Sequence, residues 1–436
     1  MASKRQTVFA IVAGLFFYVI FIKLGNAVIL DRVIAPPANA TEVFYESWPA
    51  KWGFWLSIPV LIAGLVAAPW GKLKFRWAFA LPLVWLVWEM IAAGNTINRP
   101  LSSHTVAHFT VCVAMFYAGC LAMQGNSKSW VIWIGLGLAL CWVIRAGFEQ
   151  HFGGLAATRA LLNSPEGRKQ FTEDMLNNPD FMKRMASERI FSTFMYPNTL
   201  AGGLILVLPL TMVFMWRLIP KKVRFPMRVA MVAIFGGTGL VCLYWSGSKA
   251  GWLVALTIGL IALGHSALPK TWKRGLICGV LILGVAGFAI KYAAFFHKDR
   301  NSVGARFAYW RVAMMIVKAH PLTGTGPGTF GIPYNRLKRT DDEPTKICHN
   351  DYLEQACDSG IPGFLCYSAM MVLILATLYR YRIANKSRDW MTLAVWLGVL
   401  GLCLHSTVEF HLYIPALAWV QFFLLGWLCS QELSLK

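Results

Sequence analysis

His349 is the residue of this 436-residue chain whose type suits acid–base chemistry best. Histidine titrates close to neutral pH, and cationic neighbours would favour the neutral imidazole that can accept a proton. It stands in Cys348-His349-Asn350-Asp351, within the longest polar interval of the chain, about 291–362. The residues alone leave two interpretations open: a general base, or a structural histidine at a helix start that Asn350 caps.

Three basic residues stand out from the solvated basic surface that long loops ordinarily carry. Arg189 shortly precedes the point where the chain re-enters an apolar segment, and Lys249 lies in a glycine-containing turn between two apolar segments. Arg306 lies on a predicted helix over about 303–318. Because guanidinium groups offer planar forks suited to phosphate oxygens, this set predicts a clamp for a diphosphate group. Three further residues complete the candidate substrate-binding set: Asn198, Asn350 and Arg311.

A metal or nucleotide site is less well supported by the spacing. His349 and Asp351 are two residues apart, but no further histidine or carboxylate recurs at ligand spacing. The glycine-rich segment 323–328 lacks the Lys-Ser/Thr pair of a phosphate-binding loop. We interpret that segment as a turn that brings the chain back towards His349, and we expect neither a metal nor another cofactor.

The elements that must position these residues are membrane helices. The chain is 57% hydrophobic and 14% charged, with a mean hydropathy of +0.53, and its apolar runs have membrane-spanning length. We therefore predict an all-α polytopic membrane protein, with residues 1–436 forming one transmembrane domain of about 12 helices. The predicted spans are about 8–22, 52–68, 77–93, 105–123, 130–147, 200–218, 229–245, 251–264, 276–293, 361–379, 391–404 and 412–429.

Basic clusters between these spans predict the orientation of the chain. Short cytoplasmic loops carry an excess of Lys and Arg, which places both termini in the cytoplasm. Two long loops, 149–196 and 294–360, then fall on the opposite, outer side, and each is expected to contain short helices. The second of them carries His349. The candidate site is thus a composite of outer segments.

The formal net charge of +21 would suggest nucleic acid for a soluble protein. In a membrane protein much of this charge is topological, so we predict membrane lipids as partners and no nucleic acid. The ten cysteines include no CxxC pair, and most lie in apolar runs. Cys348 and Cys357 both lie in the second long loop, where a disulfide or, with better support, two free thiols would fit.

The order of several short motifs resembles the O-antigen ligase and polymerase superfamily over about 189–363. The motifs are Arg189 with Phe194 and Pro197-Asn198, the turn Ser246-Gly247-Ser248-Lys249-Ala250-Gly251, Arg306 with Trp310, Pro321 with Gly324, Gly326 and Gly328, and His349-Asn350-Asp351-Tyr352-Leu353 with Gly360 and Gly363. The first five spans share only hydrophobicity with that family.

The resemblance implies a glycosyltransferase of the bacterial inner membrane with its active site on the periplasmic side. Such an enzyme moves a glycan from undecaprenyl diphosphate to a sugar hydroxyl of the lipid A core, without metal or cofactor. It implies that His349 is the general base, and that Arg189 and Arg306 bind the diphosphate and stabilise its growing charge. Lys249 stands where the family often has arginine, which keeps the charge but loses the fork.

Three alternatives remain at this point. An O-antigen polymerase and an O-linked protein oligosaccharyltransferase would use the same site with another acceptor. A transporter or flippase of an anionic lipid would be expected to place charge near the membrane centre and to show repeat symmetry. Most charge here lies in loops, Glu89 being the main exception, and the sequence shows no internal repeat.

Overall fold

The structure is a computed structural model, and it describes residues 4–34, 36–70, 79–124, 128–165, 176, 182, 185–296, 302–380 and 389–433. These residues form helices and no strands. In chain order the α-helices are α1 (Lys4–Lys23), α2 (Ala40–Tyr45), α3 (Ala50–Ala67), α4 (Ala80–Gly94), α5 (Arg99–Tyr117), α6 (Trp130–Glu149), α7 (Leu155–Asn163), α8 (Pro197–Leu218), α9 (Phe225–Trp245), α10 (Lys249–His265), α11 (Lys270–Phe296), α12 (Ser302–Ala319), α13 (Gly331–Leu337), α14 (Asp351–Leu378), α15 (Trp390–His405) and α16 (Pro415–Leu433).

The length and composition of these helices confirm a polytopic all-α membrane protein. Within the described residues, seven helices are long and apolar enough to cross a membrane: α1, α3, α5 with its extension to Ala122, α6 with its extension to Asn163, α8, α9 and α14. Three more, α4, α10 and α15, are apolar but shorter. Each predicted span falls on a helix of the structure. The number of twelve crossings stays a prediction.

Helix α16 forms the centre of the bundle, because nearly every described residue along it is buried. Trp419 of α16 stacks on Phe16 of α1 at 6.0 Å, and Phe423 packs against Phe17 at 4.6 Å. A Cβ atom at Gly426 would lie 2.0 Å from the carbonyl oxygen of Phe116. This glycine thus allows the backbones of α16 and α5 to approach closely, as small residues do between membrane helices.

Helices α8 and α15 run antiparallel and connect the two ends of the bundle. At one end Arg217 of α8 forms an ion pair with Asp389 at 2.6 Å, and Asp389 caps α15 by accepting from the amide of Met391. Helix α8 begins at Pro197, and α15 ends at His405. The candidate residues lie at this second end, which we call the site end.

The two predicted long loops are partly helical. A π-helical turn at Gln150–Gly154 joins α6 to α7, with Gly153 at φ +125°, so helix α7 occupies the start of the predicted loop 149–196. The part of this loop in which the sequence predicts further short helices lies mostly outside the described residues. In the loop 294–360, helix α12 corresponds to the predicted helix over 303–318. The division of the chain at these loop boundaries stays a prediction.

The glycine-rich segment 323–328 is a turn packed on helix α14. Gly324, Gly326 and Gly328 have φ of +60°, +106° and +75°. The amide of Gly326 donates to the carbonyl of Asp358 at 2.9 Å, and that of Gly328 donates to its carboxylate at 2.6 Å. Because the chain itself uses these amides, the segment has a structural role.

The structure also places three other residues that the sequence analysis singled out. Cys348 and Cys357 are both buried free thiols. The side chain of Glu89 is buried and accepts a hydrogen bond from Ser359 at 2.6 Å.

Candidate functional site

The carboxylate of Glu409 lies at the centre of the candidate site. Glu409 belongs to the short connection between α15 and α16, and its side chain is only 3% exposed. Arg306 and Asn198 both donate to Oε1, and His349 approaches Oε2. One buried carboxylate therefore joins three residues that were predicted from the sequence.

Arg306 is held by two groups of the connection between α15 and α16. Its Nη2 forms an ion pair with Oε1 of Glu409, and its Nε donates to the carbonyl of Val408 at 3.0 Å. It projects from helix α12, in which Val312, Ala313 and Ile316 are buried. Packing of these apolar residues fixes the helix, so its guanidinium group is held near Glu409.

His349 lies 3.4 Å from Glu409, measured from its Nδ1 to Oε2. An ionised carboxylate only accepts hydrogen bonds, so in the neutral imidazole Nδ1 carries the proton and Nε2 has the lone pair. The imidazole packs between Tyr309, in a nearly parallel arrangement at 5.7 Å, and the edge of Phe410 at 4.8 Å. Its backbone has φ +55°, a left-handed conformation that is uncommon for residues other than glycine and is enriched at functional sites.

Arg189 joins the cluster through Asn198. Nη2 of Arg189 donates to Oδ1 of Asn198 at 2.6 Å, and Nδ2 of Asn198 donates to Glu409 at 2.5 Å. The side-chain amide of Asn198 thus accepts a hydrogen bond from the cation Arg189 and donates one to the anion Glu409. Asn198 holds a fixed position because it lies in the first turn of α8.

Backbone contacts hold Arg189 in place. Its Nε donates to the carbonyl of Ser246 at 2.6 Å, and the amide of Ile190 donates to the carbonyl of Trp245 at 3.3 Å. Gln150 accepts from the amides of Phe191 and Ser192 at 3.0 and 2.7 Å. The segment that carries Arg189 is therefore attached to the ends of both α6 and α9.

Lys249 is the first residue of α10, directly after the turn that Arg189 contacts. Ser248 caps this helix, its side chain accepting from the amide of Gly251 at 3.2 Å. The partial positive charge of a helix N-terminus adds to that of the lysine. Arg189 and the start of α10 thus lie side by side at the site end.

Two predicted residues have structural contacts apart from the Glu409 cluster. Asn350 caps α14, its Oδ1 accepting from the amides of Tyr352 and Leu353 at 3.0 and 3.1 Å. Arg311 forms an ion pair with Asp342 at 2.6 Å. Both residues therefore have structural partners within the protein. Their role in substrate binding stays a prediction.

Two buried histidines lie on either side of Glu409 in the sequence. Nε2 of His411 is 2.8 Å from Nδ1 of His405, whose Nε2 is 3.4 Å from Oγ of Ser248. The ring of His411 packs on Gly202, where a Cβ atom would lie 2.6 Å from Cε1. The connection that carries Glu409 is thus fixed against both α8 and the start of α10.

Glu409 is the residue that the sequence analysis missed. Its signal was a lone carboxylate in the short interval between the predicted spans 391–404 and 412–429. An ionisable group that close to two apolar segments usually has a partner of opposite charge. Hydropathy shows the setting of Glu409 but does not identify that partner.

The electrostatics of the cluster keep Glu409 ionised. Burial by itself would raise the pKa of its carboxyl group, but Arg306 and then His349 outweigh burial and hold that pKa well below its usual range. The result is a fixed negative charge that contacts the Arg306 guanidinium and the imidazole directly and is linked to Arg189 through Asn198. Such an arrangement can orient a base and present cations to an anionic substrate.

A metal centre has little support from the donor set. No group of three or more His, Cys, Asp or Glu residues that could hold a metal ion occurs in the described part of the chain. Asp351, the proposed partner of His349 in such a site, is buried and accepts from the amide of Leu412 at 2.9 Å. Asp351 therefore serves the connection between α15 and α16.

Residues 234–368 match the family model described as O-antigen ligase. The matched region includes Lys249, Arg306 and His349, whereas Arg189, Asn198 and Glu409 lie outside it. No curated protein matches the chain. The region of the family match and the cluster found in the structure thus overlap in Arg306 and His349.

Proposed function

Because residues 234–368 match the O-antigen ligase family model, we propose that the chain moves an O-antigen glycan from undecaprenyl diphosphate to a sugar hydroxyl of the lipid A core. The family match supports an activity of the general O-antigen ligase or polymerase type. The particular donor, the acceptor and the roles of the residues are the proposal.

One observation carries it: at one end of an apolar helical bundle, a buried carboxylate contacts an imidazole and a guanidinium group, and Asn198 links it to a second guanidinium group. The bundle can accept a lipid tail, while the cluster at its end can meet a diphosphate and a sugar. An enzyme that uses a soluble nucleotide sugar would not need its binding residues at the end of a membrane bundle. The geometry therefore favours a lipid-linked donor.

In the proposed reaction, Nε2 of His349 takes the proton of the acceptor hydroxyl. The acceptor oxygen forms a bond to the anomeric carbon as the bond from that carbon to the phosphate oxygen breaks. Undecaprenyl diphosphate leaves with the bonding electron pair, and Arg189 and Arg306 stabilise its added negative charge. Glu409 orients His349 and stabilises its protonated form. The reaction balances without a metal or another cofactor.

The orientation in the membrane belongs to the same proposal. The end of the bundle opposite the site carries basic residues at the ends of α8, α9 and α11: Arg217, Arg224, Arg228, Lys270, Lys273 and Arg274. Positive charge of this kind is typical of cytoplasmic ends. The site then faces the periplasm across the bacterial inner membrane, with both termini in the cytoplasm.

The test is transfer by the purified protein, with a lipid-linked glycan as donor and rough lipopolysaccharide as acceptor. We expect His349→Ala and Arg306→Ala to abolish transfer, with normal amounts of both variants in the membrane. Full activity of His349→Ala would refute the assignment of the base. Offering a second lipid-linked repeat or a serine-containing peptide as acceptor separates ligase from polymerase and from protein glycosylation.

A further inference from the structure

An aromatic cluster lies at the site end, outside the Glu409 cluster. His151 stacks on Trp245 with ring centroids 3.8 Å apart and planes at 11°. Phe152 stands nearly perpendicular to both rings, at 5.0 Å from His151 and 5.5 Å from Trp245. We call His151, Phe152 and Trp245 the aromatic corner, since two stacked rings form its floor and the third forms its wall.

The corner is built by the protein yet open to its surroundings. Phe148 packs edge-on against Trp245, with ring centroids 4.9 Å apart, and fixes the position of the tryptophan. Phe152 is nevertheless 74% exposed, and His151 is exposed as well. In a membrane protein such exposed aromatic surface either binds a ligand or contacts lipid, and its depth in the membrane decides between the two.

Both parts of the corner adjoin the residues that hold Arg189. Trp245 directly precedes Ser246, whose carbonyl accepts from Nε of Arg189 at 2.6 Å. His151 directly follows Gln150, whose side chain accepts from the amides of Phe191 and Ser192. A ligand group bound by Arg189 would therefore lie beside the corner.

The exposed face of α6 indicates the depth of the corner. Towards the site end it carries Leu138, Trp142, Arg145 and Glu149, followed by Phe152. The guanidinium of Arg145 lies 4.6 Å from the ring centre of Trp142 and 3.0 Å from the carboxylate of Glu149, and both charged side chains are more than half exposed. An aromatic residue that anchors the chain in lipid is expected below such an exposed ion pair, where Trp142 lies. Phe152 lies beyond the pair, on the side away from the apolar part of α6.

The chemistry of the corner suits a sugar. Aromatic ring faces carry partial negative charge, and the C–H groups of a pyranose face carry partial positive charge, so the two stack. We propose that the aromatic corner binds the glycan of the donor while Arg189 binds its diphosphate. This inference rests on the proposed function and adds to it a subsite for the saccharide.

The test measures binding rather than transfer. The protein in nanodiscs is titrated with glycan-bearing undecaprenyl diphosphate and with bare undecaprenyl diphosphate. We expect wild type to prefer the glycan-bearing lipid, and Phe152→Ala and Phe152→Leu each to reduce that preference by about 3- to 10-fold. Affinity for the bare lipid should stay unchanged.

Phe225→Ala is the matched control, because Phe225 is 68% exposed at the opposite end of α9 and contacts Trp216 edge-on at 5.8 Å. It should retain the full preference. If Phe152→Leu bound the glycan-bearing lipid as tightly as wild type does, Phe152 would be a membrane anchor and the proposal would be overturned. A wild type that binds both lipids equally well would also overturn it. Absence of transfer by a protein that shows the preference would instead count against the proposed reaction.

Discussion

Nδ1 of His349 lies 3.4 Å from Oε2 of Glu409, a residue 60 positions later in the chain. The contact joins the start of α14 to the connection between α15 and α16. The other oxygen of the same carboxylate binds Arg306. The proposed base and one proposed phosphate ligand are therefore held by one buried side chain.

Glu409→Gln should lower the turnover rate of transfer by roughly 10²-fold, within the range that general base catalysis contributes. The amide keeps the size of the side chain but loses the charge that orients the imidazole and stabilises its protonated form. We expect the KM for the donor to change far less than kcat. Steady-state kinetics of the purified variant, with its folded fraction measured by gel filtration, check this expectation.

Glu409→Asp is the matched variant, since it retains the charge on a shorter side chain. It should recover part of kcat. A Glu409→Gln enzyme whose kcat matched wild type would show that Glu409 has only a structural role.

The stability of the protein should depend on Glu409 in a defined pH window. The folded-state pKa of Glu409 is lowered by Arg306 despite its burial, below the value of about 4.3 expected in the unfolded chain. Its contribution is therefore complete above about pH 4.3 and declines as the pH falls through the folded-state value.

Thermal unfolding of wild type and Glu409→Gln in detergent should show this directly. At pH 7 the wild type should be more stable by about 3–5 kcal/mol, the cost of breaking a buried ion pair. The difference should stay constant down to about pH 5 and narrow below about pH 4. A difference that already narrows between pH 8 and pH 6 would contradict a lowered pKa.

Arg306 and Arg311 lie on one helix but should respond differently to alanine. Arg306→Ala removes the partner of a buried carboxylate and the proposed cation of the site, so transfer should be lost. Arg311→Ala breaks a partly exposed ion pair with Asp342, which is worth about 1 kcal/mol or less, and transfer should stay within about 3-fold of wild type. Equal losses of transfer in the two variants would show that Arg311 also binds substrate.

Gly202→Ala should reduce both stability and transfer by displacing His411. The new methyl group would lie 2.6 Å from Cε1 of His411, which shares a short connection with Glu409. We expect a loss of about 1–3 kcal/mol in stability, as for overpacked cores, together with reduced transfer. Thermal unfolding and the transfer assay measure the two effects.

Gly259→Ala serves as its control. Gly259 lies in α10, and a Cβ atom there has no neighbour within 4 Å. This variant should be as stable and as active as wild type. If Gly202→Ala behaved in the same way, the packing of His411 on α8 would have no role in the site.

The sequence by itself determined the class of protein, the positions of its apolar helices and four residues of the cluster, Asn198 among them. Hydropathy and charge distribution are local properties, so they locate apolar helices and polar intervals before any packing is known. Residue type similarly identified His349, Arg306 and Arg189 as candidates for a base and for phosphate ligands.

Only the tertiary structure decided which of these residues meet. Asn198 and Glu409 are 211 positions apart and Arg306 and Glu409 are 103 apart, and no local pattern encodes such pairs. The packing of α8, α12 and the connection between α15 and α16 brings them together. The same packing turns Arg311 to Asp342 and makes Asn350 a helix cap, because contacts between distant segments depend on how helices pack and not on residue type alone.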